Sequence, residues 1–369
     1  MSDTGLGDAA EGPAGAGGLL VPITLKLGPI RRLLVIDVDD DPTYRTLEPQ
    51  VLDGPDGGVA LLAYRHDGHV ELYAEPHVRV DPAGYDGLGK GWLGIHHTEF
   101  RAARFEATDD GLKVDVAFTA PNGRRIDLRM HEHLSGPRDG VPVLAPVGGS
   151  FDSPAFFPFI WLPGLSFVPV RNTEVVLRVD GEQRSIPRLP LPLGGRRCLM
   201  ARYDPDVMAC ELNPTRSTDL PQVPVHGTAE AGAERVDVTD VDGRRGLAAV
   251  WVRREGHTCG VVLEPPLPDI TDLSPGERHE GALRLRADAS VELEGRYALH
   301  RVDDRIHLEV DGIGPWRTRQ RRPLLAVLFR LPIFRRWPTT YRWQATLDLA
   351  DGSVPGSRWT THWSRITGT

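Results

Sequence analysis

Lysine is almost missing from this chain, since Lys26, Lys90 and Lys113 are the only three among 43 basic residues. Genome composition produces such a bias as readily as Arg chemistry does, so it carries no functional implication. Cysteine is also scarce, with three residues far apart and no C-x-x-C pair. That pattern argues against a zinc ribbon or a disulfide scaffold and favours a reducing compartment. The net charge of −8 is modest, so nucleic acid is disfavoured as a partner.

Long apolar runs are lacking as well. No stretch reaches the roughly 18 to 20 apolar residues of a membrane-spanning helix, and Pro158, Pro163 and Pro332 interrupt the longest runs. Residues 1–18 are acidic and rich in Gly and Ala, without the basic and apolar regions of a signal peptide. We therefore expect a disordered leader over 1–18 and a cytoplasmic location.

Recognisable catalytic motifs are absent too. No G-x-S-x-G elbow occurs, and no Cys lies in an evident nucleophile setting, which disfavours covalent hydrolase mechanisms. The Gly-rich segment 84–94 matches neither G-x-x-x-x-G-K-[ST] nor G-x-G-x-x-G, so a phosphate loop is not predicted. No cofactor is expected.

Glycine and proline, in contrast, are abundant, with 40 Gly and 32 Pro. Both residues interrupt helices and mark turns. Apolar and polar residues alternate over 112–118 and again over 126–134, and Asn122-Gly123 between these runs is a hairpin signal. The sequence therefore predicts an all-β protein of antiparallel strands, closed into barrels or sandwiches that hide sheet edges.

Two segments of the chain match without a gap: residues 58–69 read GVALLAYRHDGH and residues 246–257 read GLAAVWVRREGH. Three further matches follow in the same order, namely DDGLKVDV with DDRIHLEV, FIWLPGL with LFRLPIF, and DGEQRSIP with DGSVP. This order predicts an internal duplication into two β-modules, over 19–190 and 195–369, joined at the Pro/Gly-rich stretch 188–197.

Tandem β-modules of about 170 residues, with long hairpins, Trp-bearing terminal strands and a Pro-rich apolar connector, resemble the lipocalin-like tandem-barrel proteins. That group includes carotenoid 1,2-hydratase (hydroxyneurosporene synthase), the AttH-like proteins and tocopherol cyclase. The resemblance is architectural, and no catalytic motif of the group is matched onto numbered positions here. It implies an apolar ligand such as a terpenoid, polyketide or lipid, with acid-assisted hydration or cyclisation as the chemistry.

The first candidate site lies at the end of the strand 125–134. Period-2 alternation places Glu132 on the apolar face, and His131 and His133 on the polar face with Arg129. A carboxyl in an apolar cavity can stay protonated and act as an acid, although a strand-end Glu can also reach solvent. The H-x-H spacing could supply two metal ligands, but the third ligand that a cupin-type site needs is missing, so no metal site is predicted.

The second candidate is His96 with Glu99, as acid and base beneath the Gly-rich segment. Tyr85 and Trp92 would then be ligand contacts at a barrel mouth, together with Trp161; an ordinary long hairpin connection is the alternative.

The third candidate is 317–337, which has seven Arg around an apolar centre. Basic flanks suit peripheral contact with a membrane, but the apolar centre recurs in the first copy, which favours core or inter-module packing.

Together these features predict binding, and acid–base conversion, of an apolar small molecule by hydration, cyclisation or isomerisation. Two alternatives stay open. One is a lipid carrier without catalysis. The other is a carbohydrate-binding sandwich whose stacking platforms are Trp92, Trp161, Trp343, Trp359 and Trp363.

Overall fold

The computed structural model describes residues 18–81, 89–108, 110–133, 140–145, 154–215, 222–223, 227–241, 243–318, 336–349 and 359–366. Strands dominate these residues, and short 3-10 turns lie at Ile270–Asp272 and Pro338–Thr340. The predicted all-β class is confirmed. Within this part of the chain no helix is long and apolar enough to cross a membrane.

The strands are numbered in chain order. They are β1 (Leu19–Leu20), β2 (Leu25–Leu27), β3 (Ile30–Asp37), β4 (Tyr44–Leu52), β5 (Gly58–Arg65), β6 (Val70–Ala74), β7 (Trp92–His97), β8 (Phe100–Thr108), β9 (Gly111–Thr119), β10 (Arg125–Glu132), β11 (Val141–Leu144), β12 (Phe157–Pro169), β13 (Thr173–Val179), β14 (Glu182–Gln183), β15 (Cys198–Asp204), β16 (Met208–Leu212), β17 (Gln222–Val223), β18 (Gly227–Ala231), β19 (Glu234–Val241), β20 (Arg244–Arg254), β21 (His257–Pro268), β22 (Arg278–Ala287), β23 (Val291–Val302), β24 (Arg305–Asp311), β25 (Arg317–Thr318), β26 (Tyr341–Asp348) and β27 (Trp359–Arg365).

The described strands form three larger sheets and a two-stranded sheet of β1 and β17. The first sheet has the order β2-β16-β12-β15-β3-β4-β5-β6-β7, with β11 on β12, and a five-stranded sheet has the order β14-β13-β10-β9-β8. The second large sheet follows the chain as β18-β19-β20-β21-β22-β23-β24-β26-β27, with β25 on β23. Among the described strand pairs, β6 and β7 run parallel and the others are antiparallel.

The predicted hairpin at Asn122-Gly123 joins β9 to β10. Gly123 has a φ of 85°, a conformation that glycine adopts without steric cost. The turn sets the register at Thr119 opposite Arg125, and the alternating apolar residues of both strands then fall on one buried face.

Two large apolar cores result from this arrangement. The five-stranded sheet packs against β3–β6 and β15 around a first core that contains Leu61, Val116 and Leu128. A second core lies inside the second large sheet and includes residues of β1, β2, β12 and β16. Strand β12 serves both cores, since Phe157 and Trp161 face the second and Val168 faces the first.

Two strands that lie beyond the predicted module boundary belong to the first sheet, and the boundary itself stays a prediction. Cys198–Asp204 and Met208–Leu212 lie beyond residue 195, yet they pair with β3, β12 and β2 of the first sheet. The change to the second sheet therefore comes after Leu212, because hydrogen bonding rather than the Pro/Gly-rich joint decides which sheet a strand enters.

The duplication stays a prediction. In both copies of the gapless match a strand runs into a tight turn, with Gly68 at φ 93° and Gly256 at φ 87°. The pairings then diverge, because β6 continues into a parallel pair with β7 whereas β21 continues into an antiparallel pair with β22. Residues 328–334 and 351–355, which carry two of the other matches, lie outside the described residues.

Candidate functional site

Glu132 ends β10 on the apolar face, as its place in the alternation predicts. Only 2% of the residue is exposed, and it follows Ile126, Leu128 and Met130 along the buried side of the strand. The hydroxyl of Tyr203, itself buried on β15, donates a hydrogen bond to Glu132 Oε2 over 3.0 Å. A carboxyl and a phenol from opposite sheets thus meet at one end of the first core.

The other members of the predicted cluster lie on the outer face of the five-stranded sheet. His131 Nε2 lies 2.9 and 3.0 Å from the two carboxylate oxygens of Asp115, and Arg129 Nε lies 3.3 Å from the same group. His133 is exposed. His131, His133 and Arg129 therefore lie on the face opposite to Glu132, as the alternation predicts, because adjacent strand residues project to opposite faces. A catalytic role for these residues stays a prediction. Among the described residues, no group of three or more His, Cys, Asp or Glu is arranged to hold a metal ion.

A second buried carboxyl, which the sequence analysis missed, lies at the opposite end of the first core. Glu71 Oε2 accepts hydrogen bonds from Tyr44 at 2.5 Å and from Tyr73 at 2.9 Å, and the two hydroxyls lie 2.9 Å apart. Asn122 Nδ2 donates to the Tyr73 hydroxyl over 3.4 Å, and Arg65 Nη1 lies 3.6 Å from Glu71 Oε1. The network joins β4, β6 and the β9–β10 turn.

Burial keeps both phenols of this network protonated. It raises the pKa of Tyr73 to about 12 and that of Tyr44 further still, and the hydrogen bond to Glu71 adds to the effect on Tyr44. Each hydroxyl already donates or accepts within the network. The arrangement is therefore saturated, and it holds strands together rather than offering a proton to a ligand.

His96 lies against this network, whereas Glu99 does not. The His96 ring stacks on Tyr73, with centroids 5.1 Å apart, because the two residues are opposite each other in the β6–β7 pair. Glu99 is exposed in the short connection to β8. The structure therefore places only His96 beside the Glu71 network, and the acid–base role of His96 and Glu99 stays a prediction. Trp92 is half-buried against the outer side of β5 and β6, and Tyr85 lies outside the described residues.

Trp161 is buried between the two large sheets. Its Nε1 donates to Asp288 Oδ2 over 3.3 Å, and the His257 ring Nδ1 lies 2.9 Å from the same oxygen. Trp343, Trp359 and Trp363 are buried as well, with at most 4% exposure. None of these four indoles can act as the surface stacking platform that the carbohydrate alternative requires.

Two of the three cysteines meet across the sheets, although the sequence separates them by 49 positions. The thiols of Cys210 on β16 and Cys259 on β21 form a hydrogen-bonded contact in the second core, and burial raises the pKa of Cys259 well above its usual value. All three cysteines are free and buried, which agrees with their predicted role as small apolar residues.

Two open depressions lie on the first half of the molecule, and neither contains a predicted site residue. One, of about 420 Å³, is lined by Asp40, Val175, Gln183, Arg184, Ser185, Ile186, Arg188 and Leu199. The other, of about 350 Å³, is lined by Asn122, Gly123, Arg124, Arg125 and Asp180, beside the Glu71 network.

The basic segment 317–337 lies largely outside the described residues. Its apolar counterpart, β12, packs into both cores, as predicted for the first copy.

The sequence gives only a weak signal for the Glu71 network. Glu71 is a single acidic residue between apolar residues in the short run VELYA, much as Glu132 is at the end of its own strand.

The chain was compared with protein-family models, with curated proteins and with solved structures, and no match was found in any of the three.

Proposed function

We propose that the chain binds an apolar small molecule at the first core and converts it by proton transfer from Glu132. The observation that carries the proposal is the Glu132 carboxyl, buried on an apolar strand face and hydrogen-bonded by Tyr203. Apolar surroundings favour the neutral form of a carboxylic acid, which is the form that donates a proton.

The position of Glu132 suits such a role. It is the last residue of β10, so its carboxyl lies at the end of the core rather than in its middle. Glu71, another buried carboxyl at this core, already accepts two phenol hydrogen bonds and faces Arg65. Of the two, Glu132 is the better proton donor.

The chemistry that fits is hydration or cyclisation of an alkene. Glu132 protonates one alkene carbon, and the resulting cation takes up either water or a second alkene of the same molecule. Loss of a proton from the added water, or from a carbon next to the new cation, returns the proton to Glu132. The net reaction is addition of water or isomerisation, and it needs no oxidant or reductant.

Binding is tested by titrating the intact chain with retinol, dodecanoate and an oligosaccharide while tryptophan emission is recorded. A saturable response to the apolar probes, and none to the sugar, is expected. Absence of any response to apolar probes contradicts the proposal.

Conversion is tested by incubating the protein with isoprenoid and polyketide extracts. Glu132→Gln should abolish product formation, since the amide cannot supply the proton, and Tyr203→Phe should reduce it by about tenfold through loss of one hydrogen bond to the acid. Glu280→Gln, a change at an exposed glutamate of β22, is the matched control and should leave the rate unchanged. Equal product from Glu132→Gln and wild type rules out this acid, and binding without any product leaves the carrier alternative.

A further inference from the structure

Hydrogen-bond donors without acceptors are gathered in the second core. The indole N–H groups of Trp343 and Trp359 and the hydroxyl of Thr361 are enclosed and have no hydrogen-bond partner among the described residues. Buried polar groups are partnered in the great majority of cases, and each exception costs stability. Three exceptions at one place therefore call for an acceptor that the described part of the chain does not supply.

Strand register brings these three groups together. Thr361 on β27 lies opposite Ala345 on β26, while Trp359 is two residues before Thr361 on the same strand face. Trp343 stands two residues before Ala345, and its ring centroid lies 6.4 Å from that of Trp359. The two indoles thus flank the small Ala345 side chain and the Thr361 hydroxyl.

A neighbouring tryptophan shows what a partnered indole looks like in the same core. Trp363 lies opposite Trp343 in the β26–β27 pair and is equally buried, but its Nε1 donates to the Asn213 carbonyl oxygen over 2.8 Å. The surroundings are otherwise alike, since the ring centroids of Trp343 and Trp363 lie 6.3 Å apart. Of the three tryptophans on this pair of strands, Trp363 has an acceptor, whereas Trp343 and Trp359 have none among the described residues.

We propose that Trp343, Trp359 and Thr361 form a donor site that binds the carbonyl or carboxylate oxygen of an apolar ligand. Three donors match an oxygen acceptor, and the aromatic and aliphatic side chains around them match an apolar body. The inference rests on the proposed function only in taking the ligand to be apolar. It describes a separate site in the second core, whereas Glu132 lies at the first core.

The test compares three twelve-carbon probes: dodecanoate, methyl dodecanoate and dodecane. Binding to the full chain is followed by tryptophan emission and by equilibrium dialysis. Wild type should bind the acid or the ester at least tenfold more tightly than the alkane. A preference for dodecanoate identifies a carboxylate ligand, and equal binding of acid and ester identifies a carbonyl ligand.

Variants then assign the preference to the donors. Thr361→Val removes the hydroxyl at nearly constant size, and Trp343→Phe and Trp359→Phe remove the indole N–H. Each variant should raise the Kd for the oxygen-bearing probe about fivefold to tenfold, which corresponds to the loss of one hydrogen bond. The Kd for dodecane should not change. Trp363→Phe is the matched control, because it removes similar volume but a donor that is already engaged, and it should affect all probes alike. If a Trp variant does not fold, Thr361→Val still measures the contribution of one donor to binding.

The outcomes separate this inference from the proposed function. Equal binding of acid, ester and alkane to wild type overturns the inference, as does an acid preference that survives all three variants. Glu132→Gln should not change these Kd values, so failure of Glu132-dependent conversion counts against the proposed function alone. Failure of every apolar probe to bind overturns both.

Discussion

Asp204 shows how far a single side chain is controlled by its surroundings. It has no exposed surface, and its two carboxylate oxygens accept hydrogen bonds of 2.8 Å from the backbone N–H groups of Gly164 and Asp206. Burial nevertheless raises its pKa to about 6, with the Asp206 charge acting in the same direction and His257 in the opposite one. Desolvation thus outweighs the two hydrogen bonds.

This residue predicts a pH dependence of stability. Because the pKa is raised in the folded state, the contribution of Asp204 to the free energy of unfolding is fully present below about pH 4 and is lost as pH rises through about 6. A rise of about two pKa units corresponds to roughly 2 to 3 kcal/mol in the free energy of unfolding. Asp204→Asn should therefore cost more stability at pH 4 than at pH 7, as measured by urea unfolding at both values. A penalty that is the same at the two pH values would contradict the assignment.

At the scale of elements, buried polar contacts join strands at the ends of the first core, in addition to the apolar packing between the sheets. The Glu71 network links β4, β6 and the β9–β10 turn, and Arg124 beside it donates to Thr43 and pairs with Asp180. These contacts, which we call the clamp, stabilise the end of the first core where the β9–β10 hairpin turns. At the opposite end, Tyr203 donates to Glu132 across the two sheets.

Tyr44→Phe tests the clamp. The change removes a 2.5 Å hydrogen bond and leaves Glu71 less well satisfied, so the free energy of unfolding should fall by about 1 to 3 kcal/mol. The pKa of Tyr44 is raised by burial, so its contribution is present below pH 10 and is lost as pH rises further. Denaturant unfolding is therefore measured at pH 8 and at pH 10.5. The free energy of unfolding should fall less between these two pH values for Tyr44→Phe than for wild type. Tyr44→Phe and Tyr73→Phe should also be non-additive, because they share Glu71.

At the scale of the whole molecule, one arginine of the second large sheet binds to the backbone of the first sheet. Arg254 ends β20, and its guanidinium donates to the backbone carbonyl oxygens of Gly28, Ile30 and Val207 at 2.6 to 3.0 Å. Its Nε also lies 3.4 Å from Asp53, and burial lowers its pKa. With Trp161 and Asp288, this contact joins two sheets that follow each other in the chain.

Arg254→Met should weaken this junction. The apolar stem is kept, but three carbonyl groups lose their donor, so a loss of about 2 to 4 kcal/mol in the free energy of unfolding is expected. Arg253→Met is the matched control, since Arg253 is about half exposed and lies 3.9 Å from Glu230, and it should change stability by less than about 0.5 kcal/mol. Equal effects of the two variants would show that Arg254 does not join the sheets.

The all-β class, the Asn122-Gly123 hairpin and the buried face of β10 follow from the sequence alone. Alternation and turn residues act over a few neighbouring positions, so their outcome can be deduced locally. The same local rule places Glu132 inside and His131 outside, but it cannot say that Tyr203 comes from another sheet to meet Glu132.

Only the tertiary structure decided which distant residues meet. It placed β15 and β16 in the first sheet and brought Tyr44 and Tyr73 onto Glu71. It also brought the free thiols of Cys210 and Cys259 into contact, and it left the donors of Trp343 and Trp359 without acceptors among the described residues. Each of these results depends on strand order and on sheet-to-sheet packing. Those are set by the sum of many weak apolar contacts along the whole chain, and no short motif encodes that sum.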